Sequence, residues 1–211
     1  TWVDGVPESV TSVARVLNLP PLPELPEPLR GKSFAVVEAA MLVDDGTGAQ
    51  LLAPLRQLGP AMDTFARIPM PALAGLHMDP PGPSPALADG LLLNDLDGTT
   101  INDFVRAAEN PMLLSGEFRH LGGALREDRA EGGAVAALDG DFLCFAVGMV
   151  PVPEAAAGVS AAVGGALATL QAVAAPRSFT NFRESPTDPQ RLFGPSLERL
   201  RAVRAQHDPD G

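Results

Sequence analysis

The chain has 211 residues, a formal net charge of −11 and one cysteine. The acidic balance argues against nucleic acid and anionic membranes as partners, because both require a basic surface. A single cysteine excludes an internal disulfide and any metal site built from several cysteines. No signal peptide pattern opens the sequence and no apolar run reaches the ~18 residues that span a bilayer, which predicts a cytoplasmic protein.

The first half of the chain predicts two strands and a helix. The apolar run Val10–Leu17 has strand character, and residues 20–28 contain five prolines, which favour an extended connector. Lys32–Val43 is the clearest strand, because its side chains alternate between two faces. A helical stripe of leucines follows and stops at Gly59-Pro60.

Glu38 stands in the middle of the second predicted strand, among apolar residues. One interpretation is a charge that protects an edge strand from aggregation. The other is a carboxylate that lines a binding site. The sequence leaves both open.

The second half continues the mixture of strands and helices, with short connections. The pattern Thr100-x-x-Asp103 predicts a capping box at a helix start. The further predicted elements, in chain order, are a strand at Gly90–Leu93, a strand at Asp141–Val150, an alanine-rich helix at Pro153–Ala175, a short strand at Ser178–Phe182 and a final helix containing Leu197, Leu200 and Val203.

One segment between these elements sets three ionisable groups in an apolar frame. If residues 113–121 form a strand, Phe118 and His120 point to one face and Glu117 and Arg119 to the other. Glu117 and Arg119 then form either an outer salt bridge or the lining of a cleft. His120 is either a hydrogen-bonded core histidine or a substrate contact.

The element order predicts an α+β fold, a mainly antiparallel sheet with helices packed on one face. The opposite face is expected to carry Glu38, Glu117, Arg119 and the small residues around Cys144. Since that face is too apolar in its middle to stay bare, it should meet a ligand, a second subunit or another domain. His77 and His207, in loop and tail contexts, are expected to face solvent.

Three motifs follow one another toward the C-terminus: His120-Leu121-Gly122-Gly123-Ala124, Phe179-Thr180-Asn181-Phe182, and Leu197-x-x-Leu200-x-x-Val203 before Asp208-Pro209-Asp210. In order and spacing they resemble the C-terminal half of FAD-linked oxidases of the berberine bridge enzyme-like type, in the vanillyl-alcohol-oxidase flavoprotein superfamily. The family usually has tyrosine where Phe179 stands.

The resemblance implies a substrate-binding domain over residues 1–176 and a C-terminal segment, 177–211, that returns to an FAD-binding domain. That domain is absent from this chain, so it would lie in cis or in a separate chain and would hold most of the FAD. The open face of the sheet would cover the flavin, with Asn181 and Phe179 contacting the cofactor. The implied activity is hydride transfer from a small organic substrate to flavin, which the fragment alone should lack.

Geometry makes Glu117 the candidate base, because a carboxylate in an apolar cleft is expected to have a raised pKa. Arg119 would hold an anionic or carbonyl group, with His120 and Glu38 as further substrate contacts. The alternative is a stand-alone α+β binding or dimerisation module without catalytic activity, in which Asn181 is only a turn residue.

Overall fold

A five-stranded antiparallel sheet forms the centre of the computed structural model, which describes residues 1–78, 82–129 and 131–210. The strands are Val10–Asn18 (β1), Ser33–Met41 (β2), Ala86–Leu93 (β3), Ser115–His120 (β4) and Phe142–Met149 (β5). They lie side by side in the order β2-β1-β4-β5-β3, and every neighbouring pair is antiparallel.

The helices are Asp45–Arg56 (α1), Gly98–Ala108 (α2), Ala156–Ala168 (α3), Pro189–Phe193 (α4) and Leu197–His207 (α5). Helix α3 packs on β3 and β5, and α2 packs on β4 and α3. The main core lies between these two helices and the sheet, with Phe104 and Leu170 fully buried in it. The predicted α+β class, with helices on one face of an antiparallel sheet, is therefore confirmed.

The small side of β5 faces the helices, and its predicted place on the opposite face is wrong. Cys144 and Ala146 are buried in the main core. A Cβ atom added at Gly148 would lie 2.6 Å from Cγ1 of Val159 in α3 and would clash with the carbonyl oxygen of Met112. The small residues therefore let the helix layer approach the sheet closely.

A second, smaller core lies on the other face of the sheet. Leu92 and Leu143 are buried there against Ala175 and against Phe179 and Phe182 of the C-terminal segment. This half of the predicted open face is therefore covered by the chain itself.

Three element predictions are wrong in detail. Helix α2 begins at Gly98, because the side chain of Asp97, rather than Thr100, caps it by accepting a bond from the Thr100 N–H at 2.7 Å. The strand predicted at Ser178–Phe182 is a 3-10 turn at Thr180–Phe182, since its backbone bonds stay within the turn or go to Arg191. Helix α3 is shorter than predicted and gives way to 3-10 turns on both sides.

Within the described residues, none of the helices has both the length and the apolar character needed to cross a membrane.

The close approach of α3 to β5 predicts opposite effects for two glycine substitutions. Gly148→Ala should lower the free energy of unfolding by about 1–3 kcal/mol, because the added methyl overpacks the contact with Val159 and Met112. Gly164→Ala is the matched control, since α3 leaves open space there and alanine favours a helix interior by roughly 0.5–1 kcal/mol. Urea unfolding of both variants measures the difference, and a neutral Gly148→Ala would contradict the packing described.

Candidate functional site

Charged side chains from three adjacent strands meet on the face of the sheet opposite α2 and α3. Arg15 of β1 pairs in register with Glu117 of β4, and Val13 pairs with both Glu38 of β2 and Arg119 of β4. Directly opposed residues share a face and alternate residues return to it. The register therefore brings two carboxylates and two guanidinium groups together.

Each carboxylate of this group has its own arginine. Nη2 of Arg15 lies 2.5 Å from Oε1 of Glu38. Nε of Arg119 donates to Oε1 of Glu117 at 2.6 Å. The contact of Arg119 with Glu117 is a charge-assisted hydrogen bond. The contact of Arg15 with Glu38 is a close ion pair, in which Oε1 of Glu38 has no hydrogen-bond partner among the described residues.

His77 contacts the remaining oxygen of both carboxylates. Its Nδ1 is 2.7 Å from Oε2 of Glu38, and its Nε2 is 3.3 Å from Oε2 of Glu117. Its backbone carbonyl accepts a hydrogen bond from Nη2 of Arg15 at 3.2 Å. The prediction that His77 faces solvent is wrong, because its side chain is only 24% exposed.

A short segment carries His77 across the sheet. A 3-10 helix, Met70–Gly75, precedes it, and Met78 directly after it has a φ of 57°. This left-handed conformation is uncommon for a residue with a side chain and persists where surrounding contacts enforce it. We refer to Arg15, Glu38, His77, Glu117 and Arg119 as the ionic cluster.

The two carboxylates keep His77 protonated at neutral pH. Hydrogen bonds to Glu117 and then to Glu38 outweigh burial and raise the pKa of His77 from 6.5 to about 9. In the imidazolium Nδ1 donates to Glu38, and the protonated Nε2 forms an ion pair with Glu117.

Glu117 is ionised, contrary to the expectation of a raised pKa. Burial by itself would raise the pKa of this carboxyl group, but the hydrogen bond from His77 and the charge of Arg119 outweigh it and lower the pKa below its usual value. Glu117 is only 2% exposed. The pKa of Glu117 differs from the expectation because of His77, a partner that the alternation pattern of β4 does not reveal.

Aromatic rings border the cluster on the side of Arg119. The guanidinium carbon of Arg119 lies 4.9 Å from the centroid of the Phe182 ring. Phe182 in turn meets Phe145 edge to face at 5.1 Å. A Cβ atom added at Gly90 would lie 2.8 Å from the carbonyl oxygen of Phe182, so glycine lets the C-terminal segment reach this position.

Of the predicted site residues, Glu38, Glu117 and Arg119 are brought together and His120 is not. His120 points to the helix side of β4, where its ring lies 5.6 Å from that of Phe142. There it lines a pocket of about 210 Å³ together with Trp2 and Leu55. The predicted substrate contact of His120 therefore does not belong to the ionic cluster.

The two predicted cofactor residues lie in the C-terminal segment. Phe179 packs into the second core, whereas Asn181 is exposed. Oδ1 of Asn181 accepts a bond from Thr180 at 3.1 Å.

Two members of the cluster were missed in the sequence. Arg15 has the same signal that drew attention to Glu38, a charge in the middle of an apolar strand. His77 has no local signal, since its partners are 39 residues or more away along the chain.

Solved structures with the same fold support the resemblance found in the sequence. The chain aligns with BBE-like 1 from Physcomitrella patens over 99% of its length, with a TM-score of 0.73 and 14% identity. A chitooligosaccharide oxidase aligns over 99% of the chain, with a TM-score of 0.68 and 16% identity. BBE-like #28 from Arabidopsis thaliana aligns over 98%, with a TM-score of 0.72 and 12% identity. The resemblance to berberine bridge enzyme-like oxidases is confirmed at the level of the fold.

The chain spans about half the length of these proteins, covering 46%, 47% and 49% of them respectively. No family model matches the sequence, and no curated protein sequence matches it.

The raised pKa of His77 predicts a pH-dependent stability. Because the folded-state pKa is about 9 and the ordinary value is 6.5, the contribution is complete below pH 6.5 and is lost as the pH rises through about 9. His77→Gln should remove this part of the pH dependence. The measurement is the free energy of unfolding in urea between pH 6.5 and pH 9.5, together with an NMR titration of the His77 ring.

His207→Gln is the control, because His207 is exposed in α5. The buried thiol of Cys144, whose pKa is raised by burial, destabilises the fold at high pH equally in all three proteins. An identical pH dependence for the wild type and His77→Gln would contradict the double pairing of His77.

Proposed function

We propose that this chain is the substrate-binding part of an FAD-dependent oxidoreductase that transfers a hydride from a small organic substrate to flavin. The observation that carries the proposal is the ionic cluster, in which an ionised carboxylate lies beside two partly exposed cations on the sheet face opposite the helices. The shared fold with enzymes named as oxidases supports it. A small-molecule substrate and an FAD-binding domain, in cis or in a separate chain, are the proposed partners.

The residues of this chain fit a secondary role in holding FAD, with most of the cofactor bound by the other domain. Asn181 is exposed, and among the described residues its side-chain nitrogen has no hydrogen-bond partner, so a donor is free for the edge of a flavin ring. Phe179 would hold this segment in place by packing into the second core. When bound, FAD supplies the hydride acceptor.

Glu117 is the proposed base. Its low pKa keeps it ionised, as a base requires, although it weakens the proton affinity. Arg119 and His77 offset this weakness, because two cations beside a substrate oxygen stabilise the negative charge that develops as its proton leaves. Arg119 would also position the substrate.

The unequal contacts of His77 suggest how a proton reaches Glu117. The contact to Glu38 is 2.7 Å and the contact to Glu117 is 3.3 Å. A substrate hydroxyl could therefore replace the longer contact while the shorter one keeps His77 in place. Glu38 would thus position His77, rather than accept the proton.

This assignment predicts different losses for two isosteric substitutions. In the flavin-loaded enzyme, Glu117→Gln should lower kcat by roughly a hundredfold or more, the contribution typical of a general base. Glu38→Gln removes the same charge from the same histidine and should lower kcat by less than about tenfold. Flavin reduction in stopped flow, over a panel of alcohols, sugars and hydroxy acids, measures the rates.

Flavin content and urea unfolding of both variants separate a loss of chemistry from a loss of folding or of cofactor. Glu117 is excluded as the base if Glu117→Gln, with a full complement of flavin, reduces it at the wild-type rate. Equal losses in the two variants would assign both carboxylates a purely structural role.

A further inference from the structure

The ionic cluster contains more positive than negative charge. Three cations, from β1, β4 and the segment before β3, face two carboxylates, from β2 and β4. All four carboxylate oxygens already contact a cation: Arg15 and His77 for Glu38, and Arg119 and His77 for Glu117. With His77 protonated, one positive charge is left over. In a largely buried place such an excess favours an anion.

The unpaired positive charge is accessible to a ligand only at the Arg119 end of the ionic cluster. The Arg15 and Glu38 side chains are sealed, with 6% and 10% of their surface exposed. Arg119 is 31% exposed. Among the described residues, its Nη1 has no hydrogen-bond partner, and its Nη2 lies 3.3 Å from Nε2 of His77. When His77 is protonated its Nε2 cannot accept a bond from Nη2 of Arg119, so Nη1 and Nη2 of Arg119 can both donate to an incoming acceptor.

The surroundings of this end suit an apolar group. Phe182 provides a ring face beneath Arg119. The chain neighbours of His77, Leu76 and Met78, are exposed apolar side chains. Methionine side chains adapt to ligands of different shape.

We propose that the substrate is an organic anion, a carboxylate joined to an aromatic or aliphatic body, with the carboxylate bound by the terminal nitrogens of Arg119. A planar guanidinium binds a carboxylate through two parallel hydrogen bonds, which a neutral substrate cannot reproduce. The inference rests on the proposed function, because it names the substrate class of the same site.

The test compares benzoate with benzamide, which have nearly the same shape and differ in charge. Each is titrated into the full chain at pH 7, and binding is followed by NMR through the Arg119 Nε–H and the backbone amides of β4. Benzoate should bind at least about tenfold more tightly than benzamide and should shift the Arg119 resonance. Its affinity should fall as the pH rises through about 9, where His77 loses its charge.

Two substitutions of Arg119 and one elsewhere locate the effect. Arg119→Gln should abolish the preference for benzoate. Arg119→Lys should weaken it, because lysine keeps the charge but cannot form the bidentate pair of hydrogen bonds. Arg126→Gln should leave it unchanged, because Arg126 pairs with Asp141 outside the cluster. Equal binding of the two probes, shifts confined to other residues, or a preference that survives Arg119→Gln would each overturn the proposal.

The assay uses no flavin, so it separates this inference from the proposed function. If the benzoate preference is missing while Glu117→Gln still loses turnover, the anionic substrate class is wrong and the oxidoreductase proposal stands. If the preference is present while Glu117→Gln is fully active, the anion site stands and the base is another group.

Discussion

The contact of one imidazolium with two carboxylates determines much of this structure. Burial of an unpaired carboxylate costs several kcal/mol, and Glu117 is almost completely buried. Each acid has one oxygen paired with its own arginine, and the second oxygen of both contacts His77. The same contact holds residues 70–78 against the sheet. The position of that segment and the lowered pKa of Glu117 therefore both depend on His77.

A charged sheet face is possible here because the other face forms a complete core. Small residues on β5 let α3 pack closely, so the apolar side chains of the main core are buried without any contribution from the opposite face. The C-terminal segment then covers only part of that face. It is fixed to the edge strand β3 by Arg183, which lies 2.9 Å from Asp89, and by Glu184, which accepts from the Ala88 N–H at 2.9 Å. The rest of that face carries the ionic cluster, which the segment with His77 contacts.

Alternation along β4 was sufficient to place Glu117 and Arg119 on one face and His120 on the other, because the strand has a polar and an apolar side. Strand β5 is apolar on both sides, so the alternation of its residues does not indicate which side faces the helices. The sequence therefore could not show that Cys144 does. His77 could not be found for a different reason. Its place depends on contacts between residues distant in the chain, and the pKa of Glu117 was misjudged because this partner was missing.

The two halves of the ionic cluster use the same chemistry and differ in exposure. In the Arg15–Glu38 half both side chains are sealed, as a structural ion pair requires. In the Glu117 half the carboxylate is sealed, but the cations that contact it, Arg119 and His77, keep about a quarter to a third of their surface exposed. A purely structural role does not require this asymmetry. The asymmetry fits the proposed site, in which a carboxylate stays ionised while a ligand approaches the cations beside it.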